Sequence, residues 1–412
     1  MENVVLVGCQ WPNQTDDHFQ SSLDELSALT KTAGGQIVAV LTQKRPNPDP
    51  ATYIGKGKLQ ELEALERQLG AHTIIFNGEL SPGQQSRLSL IFEAKVIDRT
   101  QLILDIFAIR ARSREGKLQV EKAQLQYLLP RLSGMGASLS RLGGGIGTRG
   151  PGETKLETDR RYIRNRMKDI DAQLDHVVRH RERYRARRAV QNQCQIALVG
   201  YTNAGKSTLF NQLTAANTFE ENQLFATLDP LTRKLRLDSG FVCLLSDTVG
   251  FIQDLPTQLV AAFRSTLEEV RGAQLILHII DASDQDLPAH EKTVRALLRT
   301  LDADSIPVLT VYNKKDLVKI PFLVPPDSVY VSARNTKDCL KLVHEIEKRL
   351  IAQMTPYHAF IDPHEGNLLY EAQTRSVIST QTFDVTTQCY ELTGFVFPDS
   401  SLASHLTQRL ED

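Results

Sequence analysis

Residues 194 to 208, CQIALVGYTNAGKST, constrain this chain more than any other stretch. An apolar run leads directly into Gly200-x4-Gly205-Lys206-Ser207, so a buried strand must turn sharply through a glycine-rich loop into a helix. Glycines at those places let backbone N–H groups point inward at phosphates. Lys206 then reaches the β- and γ-phosphates, and the Ser207 hydroxyl suits Mg²⁺. The loop makes Gly200, Tyr201, Thr202, Asn203, Ala204, Gly205, Lys206, Ser207 and Thr208 the expected phosphate contacts, and it requires an α/β domain around a parallel sheet.

Further segments follow in the order that a guanine nucleotide switch needs. FVCLLSDTVGF, residues 241 to 251, reads as a strand ending in Asp247-Thr248-Val249-Gly250. Asp247 is placed to hold Mg²⁺ and the Gly250 N–H to sense the γ-phosphate. PVLTVYNKKD, residues 307 to 316, is a second strand ending in Asn313-Lys314-x-Asp316. Asp316 can accept from both N1–H and the 2-amino group of guanine, donors that adenine lacks, so the expected ligands are GTP and GDP rather than ATP. VYVSAR brings Ser332, Ala333 and Arg334 after one more strand, with the Ala333 N–H facing guanine O6. Within LFATLDPLTR, residues 224 to 233, Thr227 is the candidate switch threonine closing on Mg²⁺, with Thr232 as the fallback. Lys206, Thr227 and Gly250 are therefore the expected catalytic groups, and Ser207, Thr227 and Asp247 the expected metal ligands. Phe251 stands where a water-orienting glutamine is usual, which predicts slow intrinsic hydrolysis that a partner accelerates. Asn203 suits placement of K⁺.

The chain has 412 residues and a net charge of only -1, but that average conceals a segment of opposite character. Between Arg110 and Val190 stand 20 Lys and Arg against 9 Asp and Glu, a local charge of +11, so the remainder carries -12. Such a segment attracts a polyanion by phosphate neutralisation and counterion release, and nucleic acid is the expected one. Residues 99 to 132 and 157 to 188 read as long helices. In the second, Ile163, Met167, Ile170, Leu174, Val177, Arg181 and Tyr184 recur at alternating four- and three-residue spacing. About thirty helical residues span roughly 45 Å, too long for a small core, which predicts an antiparallel two-helix arm. LGGGIGTRGPGETKLETDRR, residues 142 to 161, then supplies its tip: glycines at 143, 144, 145, 147, 150 and 152 permit close approach, and Arg141, Arg149 and Lys155 bring positive charge. A flexible linker with solvated charges is the alternative. His176 and His180 lie one turn apart but have no third ligand to make a metal site.

From 1 to about 110, short apolar runs such as VVLV, IVAVL, TIIF and KVID alternate with amphipathic stretches, the pattern of parallel strands with helical crossovers. YIGKGK, residues 53 to 58, fits a strand-to-helix turn or a ligand loop. Beyond residue 353 a helix and antiparallel strands suggest a small α+β domain. The five cysteines are scattered without metal spacing, which suits reduced thiols in the cytosol, and no apolar run is long enough for stable membrane insertion. The expected architecture is thus α/β throughout: a parallel α/β domain over 1–110, a projecting antiparallel two-helix arm over 111–190, a Ras-like P-loop GTPase domain over 191–352 and a C-terminal α+β domain over 353–412.

With these residues in view the chain resembles the HflX-type GTPases of the Obg-related translation group, from the N-terminal region to about residue 350. The marks are GGGIGTRGPGETKLETDRR, GYTNAGKSTLFN, LFATLDP, DTVGFIQDLP, LVAAFRSTLEE and NKKD, of which the first is absent from ordinary GTPases. Leu231 and the glycine-free VSARNTKD depart from the usual pattern. The resemblance implies a monomer that binds the large ribosomal subunit and its ribosomal RNA, probes the peptidyl transferase centre with the arm, and dissociates stalled or idle ribosomes under stress in a GTP-bound state. It also implies secondary ATP hydrolysis, and with it an alternative in which the chain is an ATP- or GTP-dependent RNA-remodelling enzyme. A signalling GTPase that docks a regulatory protein on the arm is a third reading.

Overall fold

A computed structural model describes residues 2–140, 151–190, 193–214, 225, 230–252, 270–284, 287–318 and 324–407, with backbone alone over 133–140, 151–155, 178, 180–190, 289 and 407. Arg141, Arg149, Thr227 and the LVAAFRSTLEE segment lie outside the described residues. The chain separates into two compact units, the first holding residues 1–178, 222–229 and 252–264 and the second holding 179–221, 230–251 and 265–412.

In the first unit, β1 (Glu2–Gln10), β2 (Gly35–Lys44), β3 (Thr73–Phe76) and β4 (Lys95–Asp98) form a sheet in the order β2-β1-β3-β4. Every pairing is parallel. Parallel neighbours need crossovers, and α1 (Asp16–Thr32), α2 (Lys56–Leu69) and α3 (Pro82–Ile91) supply them. Each start is written locally. Thr15 caps α1 by accepting from the His18 N–H, and Ser81 with Gln84 makes a capping box on α3 with proline just inside it. Alternate strand residues Val5, Val7, Ile74, Phe76 and Val96 pack with Leu62, Leu80 and Leu88 on one face, as period-two burial requires.

The helical stretch expected from residue 99 is two helices. α4 (Arg99–Arg110) stops where Ala111 turns extended, and α5 (Arg114–Ser140) begins again with the Ser113 hydroxyl accepting from the Gly116 N–H. α5 is anchored against α3 and α4, with Leu118, Ala123, Tyr127 and Arg131 buried. Arg131 donates to the Leu80 carbonyl at 2.8 Å and to Gln85 Oε1 at 2.9 Å, lies 3.5 Å from the buried Asp98 carboxylate, and its guanidinium stacks over the Tyr127 ring. Burial raises the Asp98 carboxyl, and the Arg131 charge opposes that rise.

α6 (Pro151–Val190) runs antiparallel to α5, as the pairs Arg166–Glu121, Lys122–Asp171 and Arg114–Gln173 require. Ile170 is fully buried in the expected seam. Ile163, Met167, Leu174 and Val177 are half-buried, and the Arg181 and Tyr184 side chains lie outside the described residues. The glycine-rich segment is shorter than the sequence suggests, because Pro151 opens the helix and so places Gly152 and Lys155 in its first turns.

In the second unit a six-stranded sheet has the order β10-β9-β8-β5-β7-β6, formed by β5 (Gln195–Gly200), β6 (Leu231–Arg236), β7 (Val242–Asp247), β8 (Leu275–Asp281), β9 (Val308–Asn313) and β10 (Ser328–Tyr330). All neighbours are parallel except β6 against β7. Helices α7 (Lys206–Thr214), α8 (Leu287–Thr300) and α9 (Thr336–Ile351) accompany it. The central strands are apolar on both faces, as LILHIID on β8 illustrates. A three-stranded antiparallel sheet, β11 (Thr355–Ile361), β13 (Cys389–Val396) and β12 (Val377–Asp384), carries α10 (Gly366–Arg375) and α11 (Ser401–Thr407). Val377 and Met354 join the core of the larger sheet, so the terminal sheet is packed onto it. Among the described residues no helix is long and apolar enough to cross a membrane.

Candidate nucleotide-binding site

The carboxyl ends of β5, β7, β8 and β9 lie side by side, and the loops leaving them carry the motifs read from the sequence. A β-carbon on Gly200 would stand 2.2 Å from the Ile279 carbonyl oxygen of β8. At Gly205 the φ angle is +90°, and a β-carbon would stand 2.2 Å from Asn313 Nδ2. Neither place admits a side chain. Lys206 is buried, and its ammonium donates to the carbonyls of Gly200 at 3.1 Å and Tyr201 at 2.8 Å. Burial pushes its pKa down to about 8 against the upward pull of Asp247. Tyr201 is stacked on His290 with 3.8 Å between ring centroids, Asn203 is exposed with φ 61°, and Thr208 is half-buried in the first turn of α7. Behind the loop, burial together with the charges of Arg295 and Lys206 pushes His278 down to about 4, which keeps that imidazole neutral.

Ser207 Oγ donates to Asp247 Oδ2 at 2.8 Å, so the two oxygens expected to share a cation already converge. Thr202 N–H donates to the Phe251 carbonyl at 2.7 Å and Phe251 N–H donates to the Gly200 carbonyl at 3.1 Å, clamping the Asp-x-x-Gly turn on the phosphate loop. A β-carbon on Gly250 would come within 3.0 Å of Lys206 Nζ and 2.9 Å of the Thr202 backbone. The Thr202 hydroxyl is buried with no partner among the described residues. Phe251 and Val249 are buried, and the Thr248 hydroxyl donates to the Leu198 carbonyl at 2.6 Å. Thr248 is thus turned into the sheet rather than toward the loop, with only its backbone beside the site. Thr232 bonds Ser246 across the β6–β7 pair at 2.9 Å, which occupies the fallback switch hydroxyl. Phe225, in the switch segment, is buried with its ring 4.5 Å from that of Phe107 on α4.

Asn313 joins the two halves of the site. Its Nδ2 donates to the Ala204 carbonyl of the phosphate loop at 2.9 Å, and its Oδ1 accepts from the Ala333 N–H at 2.9 Å. Asp316 is exposed and accepts from Ser332 Oγ at 2.6 Å. Lys314 takes a left-handed conformation, and its ammonium meets Asp281 at 2.6 Å. Arg334 is exposed, with its N–H donating to Ser332 Oγ at 3.3 Å. Two supports went unread in the sequence: Asp281 at the end of β8, and Asp338, which accepts from the Ser332 N–H at 3.0 Å. Each is an acid just past an apolar strand or in a first helical turn, a position too common to single out.

Three family models match consecutive parts of the chain: a GTP-binding GTPase N-terminal region over 20–108, a GTP-binding GTPase middle region over 110–188, and a 50S ribosome-binding GTPase over 195–314. The GTPase HflX of Alkalihalophilus pseudofirmus is 55% identical over 413 residues, covering 100% of this chain and 97% of that one. The chain belongs to the HflX family of GTPases. HflX proteins of Caldanaerobacter subterraneus and Escherichia coli are 49% and 43% identical, over 89% of this chain in each case and 85% and 87% of theirs. As an HflX-family protein it binds guanine nucleotides and hydrolyses GTP. In this HflX chain YIGKGK leads into α2: Gly55 precedes the first residue of that helix, and Tyr53 lies over Gly78, where its hydroxyl takes the space a β-carbon would need.

Proposed function

We propose that this chain is a GTP-switched factor that binds the large ribosomal subunit and separates stalled or idle ribosomes, acting as a monomer in the cytosol. The observation that supports it most is the pairing of a guanine nucleotide site with a segment of charge +11 in a chain that is otherwise acidic. The match of residues 195–314 to a 50S ribosome-binding GTPase supports a ribosomal partner.

In this reading Asp316, Asn313, Lys314, Ser332, Ala333 and Arg334 frame guanine. The loop Gly200 to Thr208 wraps the phosphates, and the backbone of Thr248 to Gly250 senses the γ-phosphate. Ser207, Asp247 and Thr227 would hold Mg²⁺, and the convergence of Ser207 Oγ and Asp247 Oδ2 at 2.8 Å is an all-oxygen set of the kind that ion takes. When bound, the ion neutralises charge on the β- and γ-phosphate oxygens. Asn203, exposed at the loop, is offered as a K⁺ ligand. Phe251 cannot orient water and is buried, so a partner must complete the site. Binding energy does the splitting and hydrolysis resets the switch. A nonhydrolysable GTP analogue should therefore support subunit separation in sedimentation of purified ribosomes. Separation seen only with cleavable GTP would refute this order of events.

Lys206 gives the switch a pH signature. A triphosphate favours the ammonium that burial disfavours, so nucleotide binding above pH 8 takes up a proton. Affinity should fall toward tenfold per pH unit as pH rises past about 8. Without nucleotide the sign reverses: between that value and the ordinary 10.5, the unfolded state binds more protons, so fold stability should rise with pH. Calorimetric titrations in two buffers of different ionisation enthalpy read the proton uptake directly. A pH-independent affinity from 7 to 9 contradicts it.

A further inference from the structure

Thr202 is only 7% exposed in the phosphate loop, and its N–H is spent on the Phe251 carbonyl at 2.7 Å. What it has left to donate is its hydroxyl, which is buried and bonds nothing among the described residues. A buried hydroxyl without a partner is costly, so it is most stable when a ligand supplies one. Its surroundings say which part of the ligand. A β-carbon on Gly250 would stand 2.9 Å from both Cα and Cγ2 of Thr202 and 3.0 Å from Lys206 Nζ, so Thr202, Gly250 and the lysine ammonium border one small volume. In the site proposed above, Gly250 senses the γ-phosphate and Lys206 reaches the β- and γ-phosphates. Around that volume Val249 and Phe251 are buried and carry no polar side-chain atom, and the Thr248 hydroxyl is turned to the Leu198 carbonyl. Thr202 also lines a cavity of about 10 Å³ with His278, Asp284 and His290, at the lower limit for one water. A water there is the rival partner, and it would serve GTP and GDP alike.

We infer that the Thr202 hydroxyl donates to a γ-phosphate oxygen and so sets the preference of this site for a nucleoside triphosphate over a diphosphate. The role rests on the placing of Lys206 and Gly250 at the γ-phosphate proposed above. A diphosphate leaves the hydroxyl without a partner and a triphosphate supplies one, so the bond that the protein does not make for itself becomes selectivity for nucleotide state. The selection acts through a side chain, in addition to the backbone N–H of Gly250.

The test is full-length Thr202→Val, which keeps the shape and removes the hydroxyl, titrated calorimetrically with GDP and with a nonhydrolysable GTP analogue in Mg²⁺, beside Thr202→Ser and Lys206→Ala. The valine variant should bind GDP as the wild type does. It should bind the analogue on the order of ten- to a hundredfold more weakly, the worth of a hydrogen bond to a charged oxygen. Thr202→Ser should keep the wild-type ratio of the two affinities to within about threefold. Without nucleotide, the calorimetric transition that GDP shifts upward should lie at the same or a higher temperature in Thr202→Val, because an unpartnered buried hydroxyl has become a methyl group. A fall in that temperature would reveal a partner within the protein and overturn the role. An unchanged affinity ratio in Thr202→Val overturns it as well, and so does an equal loss of both affinities, the outcome expected if a water in the cavity is the partner. Lys206→Ala that still binds the analogue with wild-type affinity overturns the site assignment itself, whatever Thr202 does.

Discussion

Asp316→Asn should lower GTP affinity on the order of 10⁴-fold and create binding of xanthosine triphosphate. Guanine offers two donors, N1–H and the 2-amino group, and a carboxylate accepts both. An asparagine amide presents one donor and one acceptor, so one of its groups meets a like group on guanine and is left unpaired when the base closes over it. Xanthine has a carbonyl where guanine has the amine, which restores the match. The change should leave the fold alone, because Asp316 is exposed and its bond within the protein is to Ser332 Oγ at 2.6 Å. That bond also ranks the neighbours: Ser332→Ala releases the carboxylate without changing its chemistry, so it should cost far less and gain no xanthine binding. Titration of each variant with GTP and XTP decides it. Asp316→Asn protein that kept GTP affinity within about tenfold would remove Asp316 from the base site.

What the sequence made legible is what short covalent spacing controls. Gly200, Gly205, Lys206 and Ser207 lie within eight residues, so a strand, a turn and a helix start are enough to define them. The work of Asn313 was legible only in half. Its motif gives its identity, but its amide is used to tie Ala204, 109 residues away, to Ala333, 20 residues away, and no local pattern encodes that bridge. Thr248 shows the reverse case, since it stands inside a nucleotide motif while its hydroxyl serves the Leu198 carbonyl of the neighbouring strand.

Helix boundaries failed for identifiable reasons. Apolar periodicity runs through Ala111 because no glycine or proline interrupts it there, yet the chain turns so that α5 can pack back on α3 and α4 with Tyr127 and Arg131 buried. Ser113, three residues before Gly116, was the available capping signal. Pro130 sits inside α5 without ending it, in keeping with the helical reading through to residue 132. At Pro151 the signal was present: proline favours the first helical position, and the glycine that follows it is helical rather than part of a loop.

Gly200→Ala should be the most destabilising single substitution in the phosphate loop, and the comparison with Gly205→Ala explains why. The β-carbon at 200 would meet the Ile279 carbonyl oxygen at 2.2 Å and its carbon at 3.2 Å. Ile279 is the residue with which Gly200 pairs on β8, so relief requires opening the ladder between two central buried strands. A cost of about 3 kcal/mol or more follows, or a melting point lower by roughly 6–12 °C for a unit of this size. At Gly205 the obstacle is a side chain, Asn313 Nδ2 at 2.2 Å, which can swing away but only by releasing Ala204 and Ala333. Gly205→Ala should therefore weaken nucleotide binding more than it lowers the melting point. Asn313→Ala removes the obstacle, so in the Asn313→Ala background the added cost of Gly205→Ala should shrink to the strain of alanine at φ +90°. Because the chain holds two compact units, the relevant transition in scanning calorimetry is the one that GDP shifts upward. Equal melting points for Gly200→Ala and wild type in that transition would mean that β5 and β8 can part at their carboxyl ends without cost, and the rigid seat of the phosphate loop would be lost with them.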